Sequence, residues 1–149
     1  MMRLLFLGYR IYCFLFRPKL LGVRVMLIQD RQVLLVRQTY LPGWFMPGGG
    51  VKRNETLDEA IRREAREEVG AEMKTLELVG AYTNFQGYKS DHNILFLSTD
   101  FTFSGQSDQE IAEVRFFPLD ALPEDIWPGH RLRLEEYRAG KKRPQFGEW

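Results

Sequence analysis

The sequence predicts an α+β fold in which a mixed β-sheet is sandwiched by helices. Three observations lead there. Stretches that read as strands lie on both sides of one strongly patterned helix, and a second helical pattern stands near the C-terminus. The 149 residues, with ordinary apolar and charged fractions, suit a single core. Residues 1–19 read as an apolar N-terminal extension and 20–149 as the folded domain, with no internal repeat, low-complexity tract or linker.

Leu4 to Phe16 is strongly apolar, interrupted by Gly8 and Arg10 and closed by Arg17-Pro18-Lys19. It is too short to span a bilayer and lacks the uninterrupted run and small-x-small site of a signal peptide. The expected structure is a short helix packing Leu4, Leu7, Ile11 and Phe14 or Leu15 against the domain or a second subunit in a homodimer. Contact with a membrane surface and a targeting role are the alternatives. Val23 to Ile28 and Val33 to Arg37 read as strands joined by a tight turn at Asp30-Arg31. A loop over Thr39 to Gly43 and the short apolar stretch Trp44-Phe45-Met46 lead into Pro47-Gly48-Gly49-Gly50, a turn that glycine tolerates best.

Thr56-Leu57-Asp58-Glu59 has the form of a capping box, and Gly70 supplies the helix stop. Leu76 to Phe85 and Asn93 to Phe101 then read as long strands and Val114 to Phe117 as another, broken by Pro118-Leu119-Asp120. His130 to Arg138 is the final helix. Periodicity does not fix the strand order.

The helix after Thr56 carries a puzzle. Projected at about 100° per residue from Leu57, Ala60, Ile61, Ala65 and Val69 form an apolar stripe. Glu64 falls at about 340° and Glu68 at about 20°, inside that stripe, with Glu67 at about 280° on its edge. Carboxylates this close repel unless something neutralises them, and a divalent cation is the obvious candidate. A solvated face laced with i,i+4 pairs such as Glu59–Arg63 and Arg63–Glu67 is the competing reading.

The flanking residues decide between them. The segment 49–71 reads G-x5-E-x7-R-E-A-x-E-E-x-G-A, carried by Gly49, Glu55, Arg63, Glu64, Ala65, Glu67, Glu68, Gly70 and Ala71. At ordinary residue usage such a match arises by chance about once in 10⁸ starting points. It resembles the signature box of the Nudix hydrolase superfamily at every specified position. The resemblance, extended by the strand pattern to about residues 20–140, implies an α/β/α sandwich and a Mg²⁺-dependent pyrophosphohydrolase, with Mn²⁺ as substitute. It implies Glu67 and Glu68 as primary metal ligands, Glu64 as ligand or water-activating base, Arg63 as an orienting partner and the Gly48 carbonyl as a further ligand. Glu55 reads as a partner of Arg63. Metal ions would then bridge phosphate oxygens and lower the pKa of a water that attacks phosphorus in line.

The family usually adds an acidic ligand from outside the box, for which Glu110 is the first choice here and Glu113 the second. His92 and His130 lack metal-ligand spacing and read as surface or satisfied polar residues. The substrate implied is a small-molecule nucleotide: a nucleoside diphosphate linked to another moiety. ADP-ribose hydrolases of this family tend to carry a proline some 15–17 residues past the box, where this chain has Phe85 to Tyr88. Dinucleoside polyphosphate hydrolases tend to carry a tyrosine there, and Tyr88 fits. Tyr40, Trp44 and Tyr88 are the stacking candidates for a base, with Phe45 and Tyr82 behind them.

A net charge of +1 gives no case for non-specific nucleic-acid binding, so no nucleic-acid partner is expected. Cys13 is the only cysteine, which excludes an intramolecular disulfide and a thiolate cluster and fits a cytoplasmic setting. The alternative function is a non-catalytic Nudix-like domain that senses a nucleotide or serves as an interaction module. Such domains usually show a decayed box, and this one keeps every carboxylate.

Overall fold

The computed structural model describes the backbone of residues 2–149 and the side chains from residue 7 onward. Helix α1 spans Met2–Phe16, followed by strands β1 (Lys19–Gln29) and β2 (Gln32–Gln38) and helix α2 (Leu57–Val69). Then come β3 (Ala71–Met73), β4 (Glu77–Asn84), a single 3₁₀ turn at Gln86–Tyr88, β5 (Ser90–Ser98), β6 (Phe101–Phe103) and β7 (Ile111–Pro118). Helix α3 (Pro128–Arg138) and β8 (Gln145–Glu148) complete the chain.

Six strands form one mixed sheet in the order β7-β2-β1-β5-β4-β8, and β3 pairs with β6 in a separate ladder. β1 runs parallel to β5, and β4 parallel to β8, while the other neighbours are antiparallel. Strand alternation assigns the faces. Val23, Val25 and Leu27 of β1 pack with Ala60, Ile61, Ala65 and Val69 of α2. Met26 and Ile28 pack on the other side with Leu95, Leu97, Ile126 and Leu134 of α3. The α/β/α sandwich is therefore observed.

Local chemistry accounts for the element ends. Asp30 and Arg31 adopt left-handed φ of 50° and 61°, the conformation of a two-residue hairpin whose twist matches its strands. Thr56 and Glu59 form the reciprocal capping box, and Gly70 (φ 64°) closes α2 in the left-handed conformation. Asn93 to Phe101 is not one strand: the chain bends at residues 99–100 and Phe101 opens β6 against Met73. β3 and β8 have no sequence signal, since each is short and formed by its partner strand.

The N-terminal helix forms, and within this chain only part of the face expected to pack is covered. Cys13 is buried, whereas Leu7, Ile11, Phe14 and Leu15 are exposed. The side chain of Leu4 lies outside the described residues. The helix is laid against the 3₁₀ turn, with Phe14 edge-on to Tyr88 at 5.2 Å between ring centroids.

His130 is the satisfied polar residue of the core. Its Nδ1 accepts the Met46 amide at 2.7 Å, which requires the neutral ring. Burial, then the nearby Arg24 charge, holds its pKa well below the usual histidine range. Between that depressed value and about 6.5, the unfolded chain binds one proton more than the folded one, so stability rises with pH in this window. His130 therefore supports the fold fully above about pH 6.5 and progressively less as the pH falls. Urea unfolding across the window should show a slope from this residue of about 1.4 kcal/mol per pH unit, absent in His130→Asn.

Candidate active site

β1 and β2 pair only at their hairpin end, through Ile28–Val33 and Gln29–Gln32, and then splay apart. Residues 45–51 fill the opening as a third, irregular strip. The Val36 and Phe45 amides exchange hydrogen bonds at 2.9 Å, Val25 donates to Pro47 O at 3.0 Å, and Val23 donates to Gly49 O at 2.9 Å. The Val51 amide closes the strip on Leu21 O at 3.0 Å. Gly48 sits at φ 143°, and a Cβ there would lie 2.1 Å from the Val23 carbonyl oxygen. A Cβ on Gly49 would meet the Glu64 carboxylate at 2.7 Å.

Helix α2 delivers the carboxylates to this strip. Glu68 is buried (6% exposed) in the apolar stripe, as its helical angle predicts, and accepts the Gly48 amide on Oε2 at 2.8 Å. Burial pushes the Glu68 carboxyl up to about 7, against the pull of Arg24 and the Gly48 amide and with added repulsion from Glu64 and Asp108. Arg63 gathers the others. It donates to both Glu55 oxygens at 2.6 and 2.9 Å, to Glu64 at 2.5 Å, to Glu67 at 3.2 Å and to Gly50 O at 3.1 Å. The Arg63 guanidinium, with the Lys52 amide, lowers the Glu55 pKa to about 2.

The loop before β7 folds over the C-terminal end of α2. The Asp108 amide donates to Glu67 O at 3.0 Å, and Thr39 donates to Glu110 O at 2.8 Å. Burial raises the Tyr40 hydroxyl pKa, and the Glu110 and Glu68 charges add to it. Glu113 is turned elsewhere, paired with Arg115 and 4.0 Å from Arg37. Two residues without a sequence signal join the site. Arg24 of β1 donates to Gly48 O at 2.7 Å and to Met46 O at 3.2 Å, and Asp108 lies near enough to repel Glu68. An isolated arginine in a strand and an acid in a polar loop look ordinary until the fold brings them in.

Beside the glycine strip lies an open cleft of about 660 Å³, whose lining includes Lys19, Arg24, Lys52, Arg53 and Asn93. Tyr88 does not line it and belongs to a second cleft, with Phe85 and Lys89. Trp44 is not available for stacking: it is 2% exposed, edge-on to Phe117 at 4.8 Å and covered by Arg37 at 4.7 Å. Its place between sheet and α3 makes it a core residue. Phe45 and Tyr82 are buried too, and His92 is exposed with its Nδ1 3.0 Å from the Thr83 hydroxyl.

Among the described residues, no three acidic, histidine or cysteine side chains are already gathered as a ligand cage. Arg63 draws Glu64 and Glu67 toward itself, while Glu68 points at Gly48. The donor set nevertheless suits a hard divalent cation. It is all oxygen, and burial disfavours the charge on its most buried carboxylate, Glu68, as long as no cation joins it. The Gly48 carbonyl keeps a second lone pair beyond the one Arg24 uses.

The NUDIX domain family model matches residues 18–137. An ADP-ribose pyrophosphatase of Methanocaldococcus jannaschii is 30% identical over 118 residues, covering 76% of this chain and 69% of that protein. An RNA pyrophosphohydrolase of Xanthomonas oryzae pv. oryzae is 40% identical over 74 residues, covering 50% of this chain. This chain spans 35% of that relative's length. The crystal structure of a MutT protein from Methanosarcina mazei superposes with a TM-score of 0.73 at 24% identity, covering 85% of this chain and 99% of the other.

The glycine strip yields a paired test. Gly48→Ala should cost roughly 3 kcal/mol or more, because strain at positive φ adds to a backbone clash. Gly50→Ala, which meets nothing within 4 Å, should cost less than about 1 kcal/mol. Thermal unfolding of both variants should separate their midpoints by about 6 °C or more.

Proposed function

This chain belongs to the NUDIX family, and from that membership we propose that it is a Mg²⁺-dependent pyrophosphohydrolase cleaving a diphosphate linkage in a nucleoside diphosphate derivative. The observation that carries the reading is Glu68, a buried carboxylate seated on the Gly48 amide beside acids collected by Arg63. A solvated, salt-bridged helix face has no reason to bury that charge.

Glu64, Glu67, Glu68 and the Gly48 carbonyl would hold the cation, with Glu110 as the acid from outside the box, and Mn²⁺ could replace Mg²⁺. A bound divalent cation supplies charge to the phosphate oxygens and eases ionisation of a water. The chain's own groups do the rest. Arg63 fixes Glu64 and Glu67 in one orientation and cannot lose its charge. Glu64 takes the proton of the attacking water as its oxygen joins phosphorus in line and the anhydride P–O bond breaks. Lys19, Lys52 and Arg53 give the cleft positive charge for the substrate's phosphates.

Tyr40, half-exposed and within reach of the Glu110 and Glu68 charges, is the proposed stacking partner for a nucleobase. The relatives' names point to different substrates: RNA pyrophosphohydrolase, NAD-capped RNA hydrolase NudC, ADP-ribose pyrophosphatase and putative 8-oxo-dGTP diphosphatase. The common element is a phosphate anhydride. A net charge of +1 argues only against non-specific binding, so RNA ends belong in the substrate panel.

The test is product analysis after incubation with Mg²⁺ and a panel of ADP-ribose, nucleotide sugars, dinucleoside polyphosphates, 8-oxo-dGTP and capped RNA. At least one should be split at a diphosphate, and turnover should vanish in EDTA. Glu67→Gln and Glu68→Gln should each lower turnover by about 10²-fold or more with an unchanged circular dichroism spectrum. Both should also weaken thermal stabilisation by Mg²⁺, which for a site at a hundred times its Kd is about 2.7 kcal/mol. Unchanged turnover and Mg²⁺ response in both variants would remove the metal assignment. Mg²⁺ binding without turnover of any compound would favour a sensing domain.

A further inference from the structure

We propose that α1 and the 3₁₀ turn it rests on form a docking surface for an anionic lipid bilayer. On the helix, Leu7, Ile11, Tyr12, Leu15 and Phe16 are all at least two-fifths exposed, and Leu15 is 65% exposed. Projected at about 100° per residue, these side chains sweep a broad outward arc, while the buried Cys13 lies on the opposite side against the domain. The neighbouring turn adds Phe85 and Tyr88, also exposed. Such a concentration of apolar side chains on one flank marks an interaction site.

Charge identifies the occupant. No acidic residue occurs before Asp30, whereas Arg10, Arg17 and Lys19 are among the basic residues of this stretch. Arg10 of α1 and Arg17, just past its C-terminal end, line a cleft of about 540 Å³ with Phe85, Tyr88 and Lys89. Lys89 has Asp91 at 3.8 Å, but among the described residues neither Arg10 nor Arg17 has an acidic partner within ion-pair distance. An apolar arc flanked by unpaired cations matches a surface with acyl chains below and negative head groups above.

A second copy of the chain fits less well. The arc is wider than a two-helix seam, and self-pairing would add arginines where no acid can neutralise them. At 15 residues α1 reaches about 22 Å, short of the roughly 30 Å hydrocarbon core, so it lies along the interface. No helix among the described residues is long and apolar enough to cross a membrane.

The full chain should co-sediment with phosphatidylcholine vesicles that contain phosphatidylglycerol and far less with phosphatidylcholine alone, and NaCl should release it. Arg10→Gln/Arg17→Gln should lower the partition coefficient about 30-fold. Ile11→Asp/Leu15→Asp should abolish co-sedimentation. Both pairs are exposed, so circular dichroism and the unfolding midpoint should stay unchanged. Absence of binding to either vesicle, or full binding by the Asp variant, would overturn the proposal. So would an α1-dependent dimer, seen by light scattering, that ignores the vesicles.

Discussion

His130 of α3, Arg24 of β1 and Glu68 of α2 all hydrogen-bond the same few atoms of backbone, Met46 to Gly48. These anchors come from both helical layers and from the sheet between them. They hold a strip that would otherwise be a glycine-rich loop with large conformational freedom. The strip can lie there because β1 and β2 separate beyond their hairpin and leave an unpaired stretch of β1 for Pro47 and Gly49 to complete. The site's geometry follows from this wedge: the carbonyl of Gly48 faces Arg24, its amide faces Glu68, and the absence of a Cβ at Gly49 leaves room for Glu64.

The electrostatic balance is asymmetric. Arg63 satisfies Glu55 with a two-pronged contact, and that pair is a support built into the fold. The same guanidinium reaches Glu64 and Glu67 with one nitrogen, Nη1. One arginine therefore faces three carboxylates, and Glu68 is left with a backbone amide and the more distant Arg24 charge. An exposed helix face would dissipate this imbalance into water. A half-buried one keeps it, and that imbalance is the electrostatic ground for the cation proposed above.

Several local elements were legible because their causes lie within a few residues of sequence. The capping box at Thr56 and Glu59, the stop at Gly70, the Asp30-Arg31 hairpin and the placement of Glu68 in the apolar stripe all appear as read. The misreadings share another cause. Phe101 looked like the end of β5 because nothing local shows that β3 waits to pair with it. Trp44 looked like a stacking ring because an aromatic beside a loop gives no sign of which side of the sheet it enters. The apolar stripe of α1 suggested packing against the domain or a second subunit, and composition cannot show that within this chain Cys13 is buried and Phe14 meets Tyr88 while Leu7, Ile11 and Leu15 stay exposed.

Sequence alone determined the grouping of the candidate site: the carboxylates, the arginine among them and the glycines ahead of them sit on one short segment with fixed helical spacing, so their grouping needs no long-range information. Tertiary structure decided what surrounds that grouping. It brought in Arg24 and Asp108, put Tyr40 within reach of the Glu110 and Glu68 charges, turned Glu113 away and moved Tyr88 to a different cleft. Those placements depend on strand order and on one loop folding over a helix end, which arise from burial summed across the whole domain and leave no periodic trace at the residues concerned.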